Sequence, residues 1–175
     1  MKQTRPVVDG LNSRPAEPLL PVDSDIEAAE SRGGAAKPVH LSWTNIGLVA
    51  AGGAVGTCVR YVISEAVPQV QGIPVATLCI NVVGAFLLGV LLEAVALRGE
   101  DAGRRRMVRL LAGTGALGGF TTYSTLANDT AAMITAAPVH AIGYALTTVL
   151  GGAAAALAGI ALARWASSVT REDGA

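Results

Sequence analysis

Charged residues fall in blocks along this chain, and the apolar stretches between them are wide enough to cross a bilayer. Residues 41–59, 66–92 and 110–128 contain none, and residues 130–163 hold only His140, which reads as neutral. Each stretch meets or exceeds the roughly 18 residues expected of a spanning helix. The pattern predicts four spans, at about 43–67, 73–97, 107–136 and 138–164. Residues 68–72 read as a short turn and 99–106 as a polar, basic loop. Pro74 falls in the first turn of the second span and Pro138 opens the fourth, where a missing N–H costs nothing. Such short loops make consecutive spans antiparallel neighbours. Gly52 and Gly56 form a small-xxx-small pair in the first span, which permits close backbone approach.

The third stretch is the unusual one. Gly118-Gly119-Phe120 is followed by the hydroxyls of Thr121, Thr122, Tyr123, Ser124 and Thr125. Adjacent glycines are poor helix formers. Hydrocarbon offers no water to loosened backbone, so a break at that depth persists only where it is buried in protein or lines a polar path. The expectation is a discontinuous third span at a site that handles an ion.

Composition supports a membrane class. The chain is 51% hydrophobic and 15% charged, against about 25% charged for an ordinary soluble domain. Residues 1–40 differ: they are rich in proline and charge, lack apolar periodicity, and read as a disordered N-terminal tail. They carry no signal-peptide pattern, so the first span is expected to remain as an anchor. Residues 41–165 form the transmembrane domain and 166–175 a polar C-terminal tail. Cys58 and Cys79 lie inside spans and read as packing residues. Zero net charge leaves no nucleic-acid footprint. No nucleophile–base pair or histidine cluster supports an enzyme. Glu93 and Asp129 fall near span ends and read as solvated. The absence of a deeper carboxylate argues against a proton-coupled exporter.

Arg32, Lys37, Arg98, Arg104, Arg105, Arg106, Arg109, Arg164 and Arg171 all fall on one side of the four expected spans, and Arg60 alone on the other. The positive-inside rule then puts both termini in the cytoplasm of a multi-pass cell-membrane protein with one orientation.

Within the spans, Asn81 lies one turn beyond Thr77, and Thr148 one turn beyond Tyr144. Asn81 can bond a neighbouring backbone, and Thr148 can bond its own helix at i−4. Together with the 121–125 hydroxyls they also supply uncharged donors at similar depth. Arg60 can face an anion at a pore mouth or snorkel to the interface. Neutral donors suit a small anion, which fixed cations would trap. Aromatic edges carry partial positive charge, and a helix break frees carbonyls that suit a cation such as Na⁺.

Three motifs then resemble the CrcB/Fluc fluoride channel family, in order and over roughly 43–165. They are Gly52-Gly53-Ala54-Val55-Gly56-Thr57-Cys58-Val59-Arg60-Tyr61, Thr77-Leu78-Cys79-Ile80-Asn81-Val82-Val83-Gly84-Ala85-Phe86-Leu87-Leu88-Gly89, and residues 115–126 around the break. The resemblance implies an all-α membrane protein of four transmembrane helices, broken in the third. It implies an antiparallel dual-topology dimer with two narrow fluoride pores and a central structural Na⁺. By matching positions, Gly118 and Thr121 would offer carbonyls to Na⁺ and Asn81 would donate to fluoride. Tyr123 and Leu126 stand where the family has two phenylalanines. Tyr144 and Thr148 match a polar track in the fourth span, and Arg60 an arginine near the vestibule. Thr122, Ser124 and Thr125 complete the expected fluoride path.

Leu126 has no ring, and Gly152 stands where that track often carries a further hydroxyl. An antiparallel homodimer needs weak charge bias, and this chain has a strong one, so pairing with a homologue of reverse bias is the expectation, with a homodimer as the alternative. The function implied is passive fluoride export from the cytoplasm. The alternatives are a non-conducting or half-active partner subunit and a small proton-coupled four-helix exporter.

Overall fold

A computed structural model describes residues 42–172, with side chains described as far as Val169. The disordered-tail expectation for 1–40 lies outside the described residues, as do 173–175. The described residues belong to one compact unit, His40–Ala175, and every described element is helical.

Helix α1 (Trp43–Ala66) ends where Val67 turns extended ahead of Pro68, because a residue preceding proline is pushed out of helical geometry. A tight turn follows. Val70 and Ile73 exchange backbone hydrogen bonds of 3.1 and 2.9 Å across Gln71 and Gly72, both at positive φ. Helix α2 (Val75–Ala96) starts directly after Pro74. The basic loop then leads into α3 (Arg104–Val108), a π-helical segment (Arg109–Leu117) and a single turn, α4 (Gly118–Phe120). Helical geometry stops at Thr121 and Thr122, whose ψ angles are 156° and 117°. It resumes in α5 (Tyr123–Ile134), and α6 runs over Pro138–Glu172.

Two elements differ from the sequence expectation. The helical path expected over 107–136 begins earlier, at Arg104, and contains a π-helical stretch. Wide π turns are rare and frequently found at functional sites. The stretch 166–175, read as a polar tail, is helical through Glu172. Its serines do not stop the helix, because Ser167 and Ser168 donate back to Arg164 O and Trp165 O at 2.7 and 2.8 Å.

Among the described residues, α1, α2 and Pro138–Val169 of α6 are each long and apolar enough to cross a membrane. Much of their bulky apolar surface points outward: Val55, Val62 and Leu157 are each more than 60% exposed. Many of the buried positions are instead small residues, among them Gly52, Gly56, Gly89, Gly115, Ala76 and Ala141. This inversion suits lipid, where water no longer drives large side chains inward and close backbone approach supplies the packing.

That approach is made by glycine. Helix α1 lies against the π-helical segment and α4, while α2 and α5 pack on α6. A Cβ at Gly52 would overlap Leu111 O, and one at Gly56 would overlap Ala116 O. Across the same seam a Cβ at Gly115 would come within 2.8 Å of Val49 O. On the other seam, Gly89 meets Ala156 O and Gly159 meets Phe86 O. The atoms in the way are backbone, so they cannot swing aside.

A Gly56→Ala substitution is expected to destabilise the purified protein by about 1–3 kcal/mol, the range for overpacking. Gly47→Ala, where nothing lies within 4 Å, is expected to leave thermal unfolding in detergent unchanged. Equal melting of the two variants would refute the seam.

Candidate functional site at the Thr121–Thr122 interruption

The interruption is held by a side chain that imitates a peptide group. Asn81 Nδ2 donates to Thr122 O at 3.0 Å, and Thr122 N–H donates to Asn81 Oδ1 at 2.8 Å. In a continuous helix that N–H would serve Gly118 O. Asn81 therefore satisfies both polar groups of a buried residue that has left helical geometry. The next turn is capped from the same residue. Thr122 Oγ1 accepts from Thr125 N–H at 3.1 Å, which makes it the N-cap of α5.

The carbonyl loosened by the interruption at Gly119 is also taken. Arg60 Nε donates to Gly119 O at 3.1 Å, and Thr57 Oγ1 donates to it at 3.4 Å. Arg60 thus reaches inward from α1 to the start of the interruption. Thr121 looks back along its own helix, with both its N–H and its hydroxyl on Leu117 O at 3.0 Å.

Around the interruption lies a groove of about 310 Å³. It brings together Asn81, Thr121, Thr122, Tyr123, Leu126 and Thr148 of the sequence-predicted residues, and Gly152 with them. Among the described residues no charged side chain lines it. Leu126 is 6% exposed and Tyr123 80% exposed, so the two occupy opposite conditions although both border the groove. Ser124 and Thr125 line a separate, outward-facing concavity along α5 with Tyr123. Arg60, Gly118 and Tyr144 do not line the groove.

Donor accounting narrows the chemistry. Thr148 spends its hydroxyl proton on Tyr144 O at 2.8 Å, the i−4 bond open to it from sequence, and contributes an acceptor. Asn81 uses one of its two amide protons on Thr122 and keeps the other. Thr122 Oγ1 donates to Thr125 Oγ1 at 3.0 Å and lies 3.2 Å from Ser124 Oγ. The Thr125 hydroxyl proton is then available. The site offers a few neutral donors on apolar walls.

The chain matches the family model described as CrcB-like protein, Camphor Resistance (CrcB), over residues 47–160. It belongs to the CrcB family. Fluoride-specific ion channel FluC 2 of Leifsonia xyli subsp. xyli is 59% identical over 126 residues, which cover 71% of this chain and 87% of that protein. Fluoride-specific ion channel FluC 1 of Cutibacterium acnes is 47% identical over 121 residues, covering 68% and 85%. Fluoride-specific ion channel FluC of Methanopyrus kandleri is 42% identical over 127 residues, covering 71% and 93%.

In this CrcB-family chain two carboxylates have a different place from the one read in sequence. Asp129, expected to be solvated at a span end, is half-buried. Its Oδ2 accepts from Thr77 Oγ1 at 3.0 Å and from Tyr144 OH at 3.3 Å. One carboxylate so ties α2, α5 and α6 a turn or two from the interruption. The available signal was periodicity: Asp129 lies seven residues after Thr122, two turns along α5 on the same face. Glu93 was misread in the same way. Its carboxylate is 16% exposed and accepts from Arg164 Nε at 2.8 Å.

Replacing Asn81 by leucine keeps the volume and removes both bonds to Thr122. Stranding a buried N–H and a buried C=O costs about 1–3 kcal/mol each, so Asn81→Leu is expected to lower the unfolding midpoint in detergent by several degrees. Hydrogen exchange at Thr122 should rise in the variant. An unprotected Thr122 amide in the wild-type protein would contradict the brace.

Proposed function

We propose that this chain is a subunit of a fluoride channel of the cell membrane, passing the ion down its gradient out of the cytoplasm. The observation that carries the reading is the groove at the interruption, lined by Asn81, Thr122 and Thr148 without a charged side chain. A small anion must exchange its water for donors that hold it weakly enough to release it. The spare amide proton of Asn81, in a groove that Tyr123 also borders, fits that demand. The names of the relatives agree with it.

The finer reading adds a partner and an orientation. In it four spans cross the bilayer, the third being the discontinuous path from α3 through α5. Arg98, Arg105 and Arg164 sit at the end where α2 and α6 finish, and this basic end faces the cytoplasm. Tyr123 is 80% exposed and Tyr61 64%. Aromatic surface of that kind suits cover by an antiparallel second subunit, which would bring Tyr123 against a pore. The one-sided arginines favour a homologous mate of opposite bias over a second copy. Gly118 and Thr121 carbonyls fit a Na⁺ at the subunit junction, since Thr122 N–H has left Gly118 for Asn81.

Leu126 favours a second reading. It is buried in the groove, where the resemblance expects an aromatic edge, so this subunit's share of the fluoride site is weaker and the chain is a half-active partner. Asp129 also gives a proton-coupled exporter the carboxylate that sequence reading denied it, although its two hydroxyl donors suit a fixed structural charge.

Liposome efflux separates these readings. Fluoride efflux with no proton gradient is expected from vesicles holding this chain and a homologous mate. Asn81→Asp or Tyr123→Ile in this chain is expected to slow it on the order of tenfold, equivalent to about 1.4 kcal/mol in barrier. Unaltered flux in both variants would make the chain a scaffold, and dependence on a proton gradient would favour the exporter. Robust flux from the chain alone would remove the need for a mate.

A further inference from the structure

The basic end carries an asymmetry of pairing. Asp101 holds Arg109 through Nε and Nη2 at 3.0 and 2.6 Å and lies 3.7 Å from Arg106 Nε. Glu93 holds Arg164. Glu100 is exposed, and its backbone carbonyl takes Arg105 Nε at 3.0 Å. Among the described residues no carboxylate pairs with Arg98, Arg104 or Arg105. Arg105 is tethered to the carbonyls of Glu100 and Arg98, and Arg98 to Ala94 O at 2.7 Å. These are neutral partners that position the guanidinium groups and leave their charge uncompensated.

The same three arginines border a groove of about 370 Å³ whose walls are Leu91, Ala94, Val95 and Val108. On the other side of the Ala94–Arg98 ridge lies a second groove of about 590 Å³ between α2 and α6. Leu97, Leu162 and Ala163 wall it, and Arg98 borders it too. Trp165, next to the groove residue Ala166, is 65% exposed, where an indole marks the level of the headgroups. Two apolar grooves run along membrane-spanning helices and meet at an arginine, and further unpaired arginines border one of them.

We propose that this is a binding site for one anionic diacyl phospholipid. The phosphate sits on Arg98, Arg104 and Arg105, and the two acyl tails straddle the Ala94–Arg98 ridge, one in each groove. The occupant follows from charge and place. Grooves at this depth face hydrocarbon, so their filling is acyl chain, and the arginines select against a zwitterionic headgroup. Basic pockets between transmembrane helices bind anionic headgroups by this chemistry, and arginine suits phosphate through its planar fork of donors. The site is independent of the ion conducted and lies apart from the groove at Thr121–Thr122.

Native mass spectrometry of the purified full chain in detergent, in its natural assembly, tests this site. Dioleoyl phosphatidylglycerol and dioleoyl phosphatidylcholine are titrated in parallel. The wild-type protein is expected to retain phosphatidylglycerol in preference. The double variant Arg98→Gln/Arg104→Gln is expected to bind it about 30-fold more weakly, the effect of two charges at a membrane surface. Arg98→Lys/Arg104→Lys should recover most of the preference. Ala94→Leu, which fills the ridge between the grooves without touching a charge, should lose retention of both lipids. Equal retention of the two lipids by the wild-type protein overturns the proposal. So does undiminished phosphatidylglycerol binding in the Gln variant, or displacement of the lipid by inorganic phosphate at a concentration equal to that of the lipid. If the Gln variant fails to fold, the Lys and Ala94→Leu variants decide alone. Lipid mass is the readout, so failure here leaves the fluoride reading untouched.

Discussion

Everything distinctive in this molecule depends on one pair of hydrogen bonds, those between the Asn81 amide and the backbone of Thr122. Leaving helical geometry inside a bilayer strands polar groups that cost several kcal/mol each in hydrocarbon. Asn81 is a side chain with one acceptor and donors in the geometry of a peptide group, so it replaces a lost helical neighbour almost one for one. With that cost met, Thr121 and Thr122 can be extended, the N-cap of α5 can form on Thr122 Oγ1, and Thr121, Thr122 and Tyr123 are brought beside Thr148 and Gly152 of α6. An apolar residue at position 81 would leave the Thr122 N–H and C=O without their partner.

The interruption also needs a wall that does not move, and the glycine seams supply it. Gly52 and Gly56 let α1 sit against carbonyls of the segment leading into the interruption, and Gly115 and Gly119 let that segment sit against carbonyls of α1. That closeness is what allows Arg60, on α1, to reach Gly119 O. Packing and polar satisfaction are therefore one device. A wider helix spacing would leave the Gly119 carbonyl without its guanidinium, and a different residue at 60 would leave the close seam with a carbonyl to satisfy.

The helix limits were legible in sequence because their signal is local, whereas the pairing was not: consecutive spans were expected as neighbours, and α1 instead packs on the π-helical segment and α2 on α6. Uncharged stretches, prolines at Pro74 and Pro138, and glycine-rich joints each act within a few residues, and the boundaries of α1 and α2 fall within two residues of expectation. The polar contacts were legible only as options. Thr148 was seen to be able to bond at i−4 and does so. Arg60 offered two readings, and the partner it has, a carbonyl nearly sixty positions away, belongs to neither. Asp129 was misread because its surroundings come from α2 and α6, and a residue near a span end looks solvated until its neighbours are placed. The stretch 166–175 was read as a polar tail, and the helix continues through Glu172.

Charge placement follows the same logic at larger scale. The groove at Thr121–Thr122 is neutral, yet it has a guanidinium on one flank, at Gly119 O, and a carboxylate further along α5, at Thr77 and Tyr144. Neither charge faces the groove directly, and each is occupied by partners that fix its position. Charges held at a distance shape the field across a low-dielectric path without becoming ligands. A guanidinium in the groove would bind a small anion too tightly to release it, and a carboxylate there would repel it. Moving both charges one layer outward leaves the groove lined by neutral groups, the Asn81 amide among them. This also explains why a deep polar site in this chain could be read from uncharged residues while its two nearest charges had to be found in the fold.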